Sequence, residues 1–374
     1  MSRIRRMLRT AIVATMALAV QAGAQVTPDR LGAALREGGT VVVYGATDRD
    51  VVQPVIAAFE ARYRGLHVDY HDINSAELYQ RVITESERGA SADVLWSSAM
   101  DLQVKLVNDG YAQPWRSPET ASLPAWATWK DEAFATTYEP AAIVYNKRAL
   151  APDEVPDTHA ALIRLLTEQP ARFRGRLATY DPERSGLGLL LHSQDAQANP
   201  TAFWQLVRAM GGEGVERHMS TSAMLDRISS GEVLIGYNLL GSYAQSRAQR
   251  DPAIGVVWPR DYTLVLSRVA FIARKAQHPA AARLWLDFLL SAHGQEILAQ
   301  GAGLFTVRED APGKAASSLR HQLGSAFRPI ALGTSLLAYL DQIKRRDFLH
   351  EWDDAMRRPS AASSTGRSAT PSPR

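Results

Sequence analysis

The chain has 374 residues, 46% of them hydrophobic and 22% charged, which excludes a disordered or low-complexity protein and leaves room for two lobes of ordinary domain size. It has no cysteine, which excludes disulfides, thiolate metal sites, cysteine nucleophiles and a lipid-modified cysteine anchor. The formal net charge is +3, but Arg3, Arg5, Arg6 and Arg9 lie in the first 24 residues; without them 38 basic residues face 39 acidic ones, so the basicity is no nucleic-acid signature.

In chain order, residues 1–24 read as a signal peptide: an arginine-rich start, an apolar stretch from Ala11 to Val20, and the small-residue pattern Ala22-Gly23-Ala24. The apolar stretch is too short for a permanent membrane span, so a free periplasmic protein is expected. Thr40 to Tyr44 is a β-branched run typical of a strand buried on both faces of a parallel sheet. A helix follows with Val51, Val55, Ile56 and Phe59 on one face, then a strand at Leu66–Tyr70, a helix carrying Leu78, Val82 and Ile83, and a strand at Val94–Trp96. Ser97-Ser98 opens the next helix, which Asn108-Asp109-Gly110 closes. These are parallel βα units, and ligands collect at the carboxyl ends of such strands.

Phe134 to Tyr145 reads as extended chain interrupted by Glu139-Pro140, where a crossover between lobes is expected. A second α/β region follows. A strand at Arg176–Tyr180 leads into the turn Asp181–Gly188 and a helix, Ser220-Thr221-Ser222 opens another helix, and strands are expected at Val233–Asn238 and Ile254–Trp258. Thr263 to Ala273 returns as the second crossover. Amphipathic helices at Pro279–Leu298 and Ser335–Trp352 are expected to pack on the first lobe. The predicted organisation is lobe 1 at 25–138 and 264–357, lobe 2 at 139–263, and a disordered tail, rich in Ser, Ala, Pro and Arg, at 358–374.

Val42-Val43-Tyr44-Gly45, Ala92–Ser98, Tyr138-Glu139-Pro140 with Val144–Lys147, Asp181–Gly186 and Ala280–Gln295 together resemble the extracellular solute-binding proteins of bacterial ABC importers, in the ferric-iron and phosphonate-type branch. The similarity runs from about Gly38 to Trp352 and extends to binding proteins that regulate phosphoglycerate uptake. The resemblance implies an α/β, two-lobed type II periplasmic-binding-protein fold, each lobe a mostly parallel sheet flanked by helices, with two hinge crossovers. It also implies a monomer that captures a small solute between its lobes and delivers it to a membrane permease. The alternatives are a ligand-sensing partner of a two-component system and a ferric-ion carrier. Ferric-binding members carry a tyrosine pair after the second-lobe strand; here Leu239-Leu240 fills that place and no histidine follows Tyr44, so an organic anion (phosphonate, phospho-acid or carboxylate) is the expected ligand and no metal or cofactor is expected.

The candidate donors are Thr47, Ser97, Ser98, Ser185, Gly186, Thr221 and Ser222, hydroxyls and backbone N–H groups at helix starts, where anions are stabilised. Each has a plainer reading as an N-cap. Arg184 either takes an oxyanion or is a solvated loop residue. Tyr237 and Asn238 end a strand at the expected cleft edge; Tyr237 either donates to the ligand or covers core. Asp48 either binds a substrate ammonium or caps a helix. No G-x-S-x-G elbow, H-E-x-x-H or P-loop is present, so no enzymatic activity is expected.

Overall fold

The computed structural model describes residues 28–357 apart from 90, 302 and 312–315. The predicted signal peptide and tail lie outside these residues. The first lobe is built from α1 (Pro28–Arg36), β1 (Thr40–Gly45), α2 (Arg49–Arg62), β2 (His67–Asp72), α3 (Ser75–Glu87), β3 (Val94–Ser97) and α4 (Met100–Asn108). α5 (Pro118–Ala121), β4 (Thr128–Trp129) and β5 (Ala133–Ala135) lead to β6 (Thr137–Asn146), the first strand of the second lobe. That lobe continues through α6 (His159–Glu168), α7 (Pro170–Phe173), β7 (Leu177–Tyr180), α8 (Gly186–Ala198), α9 (Pro200–Gly212), β8 (Glu216–His218), α10 (Thr221–Ser230), β9 (Ile235–Leu240), α11 (Gly241–Ala248), β10 (Ile254–Val257) and β11 (Thr263–Leu266). β12 (Val269–Ile272) returns to the first sheet, followed by α12 (Pro279–Leu290), α13 (Ala292–Gly301), β13 (Phe305–Thr306), α14 (Ala316–Leu323), β14 (Phe327–Pro329) and α15 (Gln342–Arg357).

The first sheet has the order β2-β1-β3-β12-β5-β4, and the second β14-β11-β6-β9-β7-β8 with β10 and β13 also on β6. The βα strands pair in parallel, β1 with β2 and β3, and β7 with β8 and β9. The crossing strands β6 and β12 run antiparallel to their neighbours on the main path, and β11 runs antiparallel to β6 but parallel to β14. β6 is not interrupted at Pro140, as the sequence suggested. Pro140 opposes Val265 one residue before the ladder with β9 begins at Ala141, so its missing N–H falls at a change of partner.

The carboxyl-terminal segment departs from the predicted lobe boundary. Ser335–Trp352 is not one helix on the first lobe. A 3₁₀ segment, Thr334–Leu340, lies against α4 of the first lobe, and α15 packs along α9 of the second. Phe348 and Trp352 are buried there, with the Phe203 and Phe348 rings stacked 6.2 Å apart.

Between the sheets the chain crosses at Thr136 and at Ser267-Arg268. The Thr136 N–H donates to the Arg268 carbonyl (2.8 Å) and the Arg268 N–H to Thr137 Oγ1 (2.9 Å), which ties the two crossovers side by side.

Candidate functional site

The strand ends of both lobes face one gap, which encloses a cavity of about 230 Å³. The first lobe lines it with Asp48, Asp72, Asn74, Ser75 and Ser98, the second with Tyr180, Ser185, Met219, Ser220, Thr221, Leu240 and Tyr243. Three capped helix starts reach it. Asn74 Oδ1 accepts from the Ala76 N–H (3.0 Å) at α3, Ser185 Oγ from the Gly188 N–H (3.1 Å) at α8, and Ser220 Oγ from the Ala223 N–H (3.3 Å) at α10. Each presents remaining backbone N–H groups and the positive end of a helix dipole to the gap.

Small residues make this approach possible. A Cβ on Gly186 would lie 2.7 Å from Leu102 Cδ1 and 3.2 Å from Ser75 Cβ, so α8 begins in contact with the first lobe. Ser98 is buried and lines the cavity. Ser97 Oγ instead accepts from the Ala99 N–H and meets Ser75 Oγ, each at 3.2 Å, and so supports the loop from behind. The Thr221 and Tyr180 hydroxyls are bonded to each other.

Asp48 and Ser222 meet across the gap. Ser222 Oγ donates to Asp48 Oδ2 at 2.5 Å, and the Asp48 N–H donates to the Tyr243 hydroxyl at 3.2 Å. Asp72 stands exposed at the mouth, where partial burial pushes its carboxyl above the usual range despite the opposing bond from the Arg49 N–H.

Ser97, Gly186 and Ser222 are not among the residues that line the cavity, and four further expected contributors are placed elsewhere. Thr47 is fully buried under the floor, where its Oγ1 accepts from Arg268 Nη1 (2.7 Å) and its carbonyl from the Tyr70 hydroxyl (2.5 Å). Arg184 is exposed and lies outside the cavity lining. Tyr237 and Asn238 both donate to Asp195 Oδ2, at 2.5 and 2.7 Å, inside the second lobe. The reason is register: β9 runs on to Leu240, so Leu240 and Tyr243 reach the cleft edge and Tyr237 remains mid-strand.

Sequence reading missed the group beneath the floor. Arg268 and Glu139 are completely buried, with Arg268 Nε 2.8 Å from Glu139 Oε1. Glu139 also accepts from Thr137 Oγ1 (2.9 Å) and Ser242 Oγ (2.6 Å), and the Arg268 guanidinium lies over the Tyr243 ring at 5.3 Å. The signal was a lone arginine inside the apolar run Thr263 to Ala273. Among the described residues no group of three or more His, Cys, Asp or Glu is arranged to hold a metal ion, and no helix is long and apolar enough to cross a membrane.

No functionally curated sequence is significantly similar to the chain. Among solved structures, the substrate-binding protein of an ABC transporter from Agrobacterium tumefaciens is 39% identical, with a TM-score of 0.82 over 85% of this chain and 94% of that one. Iron-bound HitA from Pseudomonas aeruginosa shares the fold at 16% identity and TM-score 0.66, covering 84% of this chain and 99% of that one. AfuA from Actinobacillus pleuropneumoniae, with exogenous fructose-6-phosphate bound, shares it at 18% and 0.68, covering 85% and 99%. These neighbours are two-lobed periplasmic binding proteins of the type II fold. The family model described as bacterial extracellular solute-binding protein matches residues 40–303, and the chain belongs to that family.

Proposed function

We propose that this solute-binding protein captures a small organic anion, a phosphonate, phospho-acid or carboxylate, between its lobes in the periplasm and delivers it to an ABC permease. The observation that supports the anion is the convergence of α3, α8 and α10 on one cavity with the hydroxyls of Ser98, Ser185 and Thr221. About 230 Å³ is below the roughly 300–1,000 Å³ of drug-sized pockets, which favours a compact solute. Of the two lining carboxylates, Asp48 accepts from the hydroxyls of Ser222, at 2.5 Å, and Tyr243, at 3.4 Å, and Asp72 lies at the exposed mouth, where water screens it.

Mechanistically, the inner hydroxyls and helix starts come from both lobes, so only the closed form makes all contacts to the solute at once. Binding therefore shifts the population toward closure without covalent chemistry. A ferric-ion reading has one observation in its favour: the phenols of Tyr180 and Tyr243 line the cavity beside two carboxylates, all hard oxygen donors. It is the weaker reading, because both phenols already have partners: the Tyr180 hydroxyl is bonded to that of Thr221, and the Tyr243 hydroxyl accepts from the Asp48 N–H. A thermal-shift panel of phosphonates, phosphorylated three-carbon acids, di- and tricarboxylates, amino acids and ferric citrate tests the choice. An anion at a hundred times its Kd is expected to add about 2.7 kcal/mol to folding stability and raise Tm accordingly. A shift confined to ferric citrate, with none from the iron-free acids, would contradict the proposal.

A further inference from the structure

We propose that Asp48, Ser222 and Tyr243 form a latch that holds the lobes closed on the protein's own groups, so that the ligand-free chain populates the closed form. Asp48 occupies the N-cap position of α2, where an aspartate ordinarily accepts a bond from its own helix, yet its side chain makes no capping bond. It reaches across the gap instead. Oδ2 takes the Ser222 hydroxyl at 2.5 Å, and the Tyr243 hydroxyl lies 3.4 Å from Oδ1 and 3.2 Å from the Asp48 amide nitrogen. Ser222 is free for this because Ser220 already caps α10.

The three residues stand between two spaces. On one side is the inner cavity, lined by Asp48 and Tyr243 among others; on the other is a groove of about 640 Å³ bounded by both lobes and lined by Asp48, Ser222 and Tyr243 with Asp50, Arg247 and Arg250. The latch is thus the partition that seals one wall of the cavity. Its bonds are made entirely between the protein's own groups, and a hydrogen bond to a charged group is among the stronger ones. Asp48 acts on capture through closure, as a positioning residue. Removing it lowers the fraction of closed protein and, with it, the apparent affinity for any solute.

The absence of cysteine gives a clean test on the full chain without solute. Gln53→Cys on α2 and Ser230→Cys on α10 place spin labels at exposed sites in the two lobes. Double electron–electron resonance then reads the distance between them. In the otherwise unaltered chain the short distance is expected to dominate. Asp48→Ala and Ser222→Ala are each expected to lower the closed-to-open ratio about tenfold, and the second substitution to add little once the first is present. Either of two results would overturn the latch: a ligand-free chain in which the long distance already dominates, or a distribution that neither substitution moves. Ser222→Ala removes one hydroxyl from a first helical turn and carries the test even if Asp48→Ala is unstable. Because no solute is added, failure here leaves the anion proposal intact, and failure of the anion proposal leaves the latch intact.

Discussion

Asp101 stands in the first turn of α4, where a helix dipole favours a carboxylate, yet burial pushes its acid up to about 7. The bond from the Leu102 N–H and the field of Arg345 oppose that push and are outweighed. The sign of the pH effect follows. Below the ordinary value of 3.8, folded and unfolded chains are both protonated and the group is neutral to stability. Between there and about 7 the unfolded chain releases its proton while the folded chain retains it, so stability falls as pH rises, by about 1.4 kcal/mol per pH unit at most, and then levels off. Asp101→Asn is expected to melt like the parent at pH 4 and above it by a margin that grows to pH 7, measured by circular dichroism; a margin independent of pH would contradict this. At this scale the caps were legible in part, because a cap is set by the next three residues: Ser185 caps α8 and Ser220 caps α10, whereas Asp48 makes no capping bond at α2 and Ala99 stands at the start of α4. Tyr237, Asn238 and Thr47 were not, since their partners Asp195 and Arg268 are distant in the chain.

Periodicity located the βα units of both lobes but not α1, α5, α7, α14 or the short strands β4, β8, β13 and β14, and it did not assign every element to a lobe. α15 shows why. Its apolar stripe, with Phe348 and Trp352, demands burial without naming the surface that supplies it. The surface is α9, and the fit depends on Gly211: a Cβ there would lie 2.2 Å from the Met356 carbonyl oxygen. Gly211→Ala is therefore expected to push α15 away and cost about 1–3 kcal/mol, read as a fall in the urea midpoint. An unchanged midpoint would show that α15 is not held against α9 in solution. The predicted single helix at Pro279–Leu298 is two, α12 and α13, because Ser291 breaks the turn in extended backbone with its Oγ bonded to the Phe288 carbonyl at 2.7 Å. Apolar spacing continues across that break, which is why sequence did not resolve it.

Across the whole molecule, the two-lobed plan was legible from the alternation of strands and helices and from the two extended crossovers. The hinge chemistry was not. Arg268 and Glu139 bind each other at the crossing, and Arg268 also holds Thr47 beneath the cleft floor, so the groups that join the lobes also support the loop that leads to Asp48. A fully buried pair of this kind gives little net stability against an apolar substitute, while loss of one partner costs about 3–5 kcal/mol. Above that floor, residues of both lobes line the cavity, and the central proposal is that they hold a small anion, with Ser98 and Ser185 and the helix starts around them as donors. The direct measurement is isothermal titration calorimetry with the anion that gives the largest thermal shift, into the parent chain and into the double variant Ser98→Glu with Ser185→Glu. One site per chain is expected in the parent, with affinity lowered about a hundredfold or more in the variant, because two like charges would face the ligand in a closed space. Equal affinity in a variant with an unchanged circular dichroism spectrum would place the ligand outside this cavity and contradict the claim.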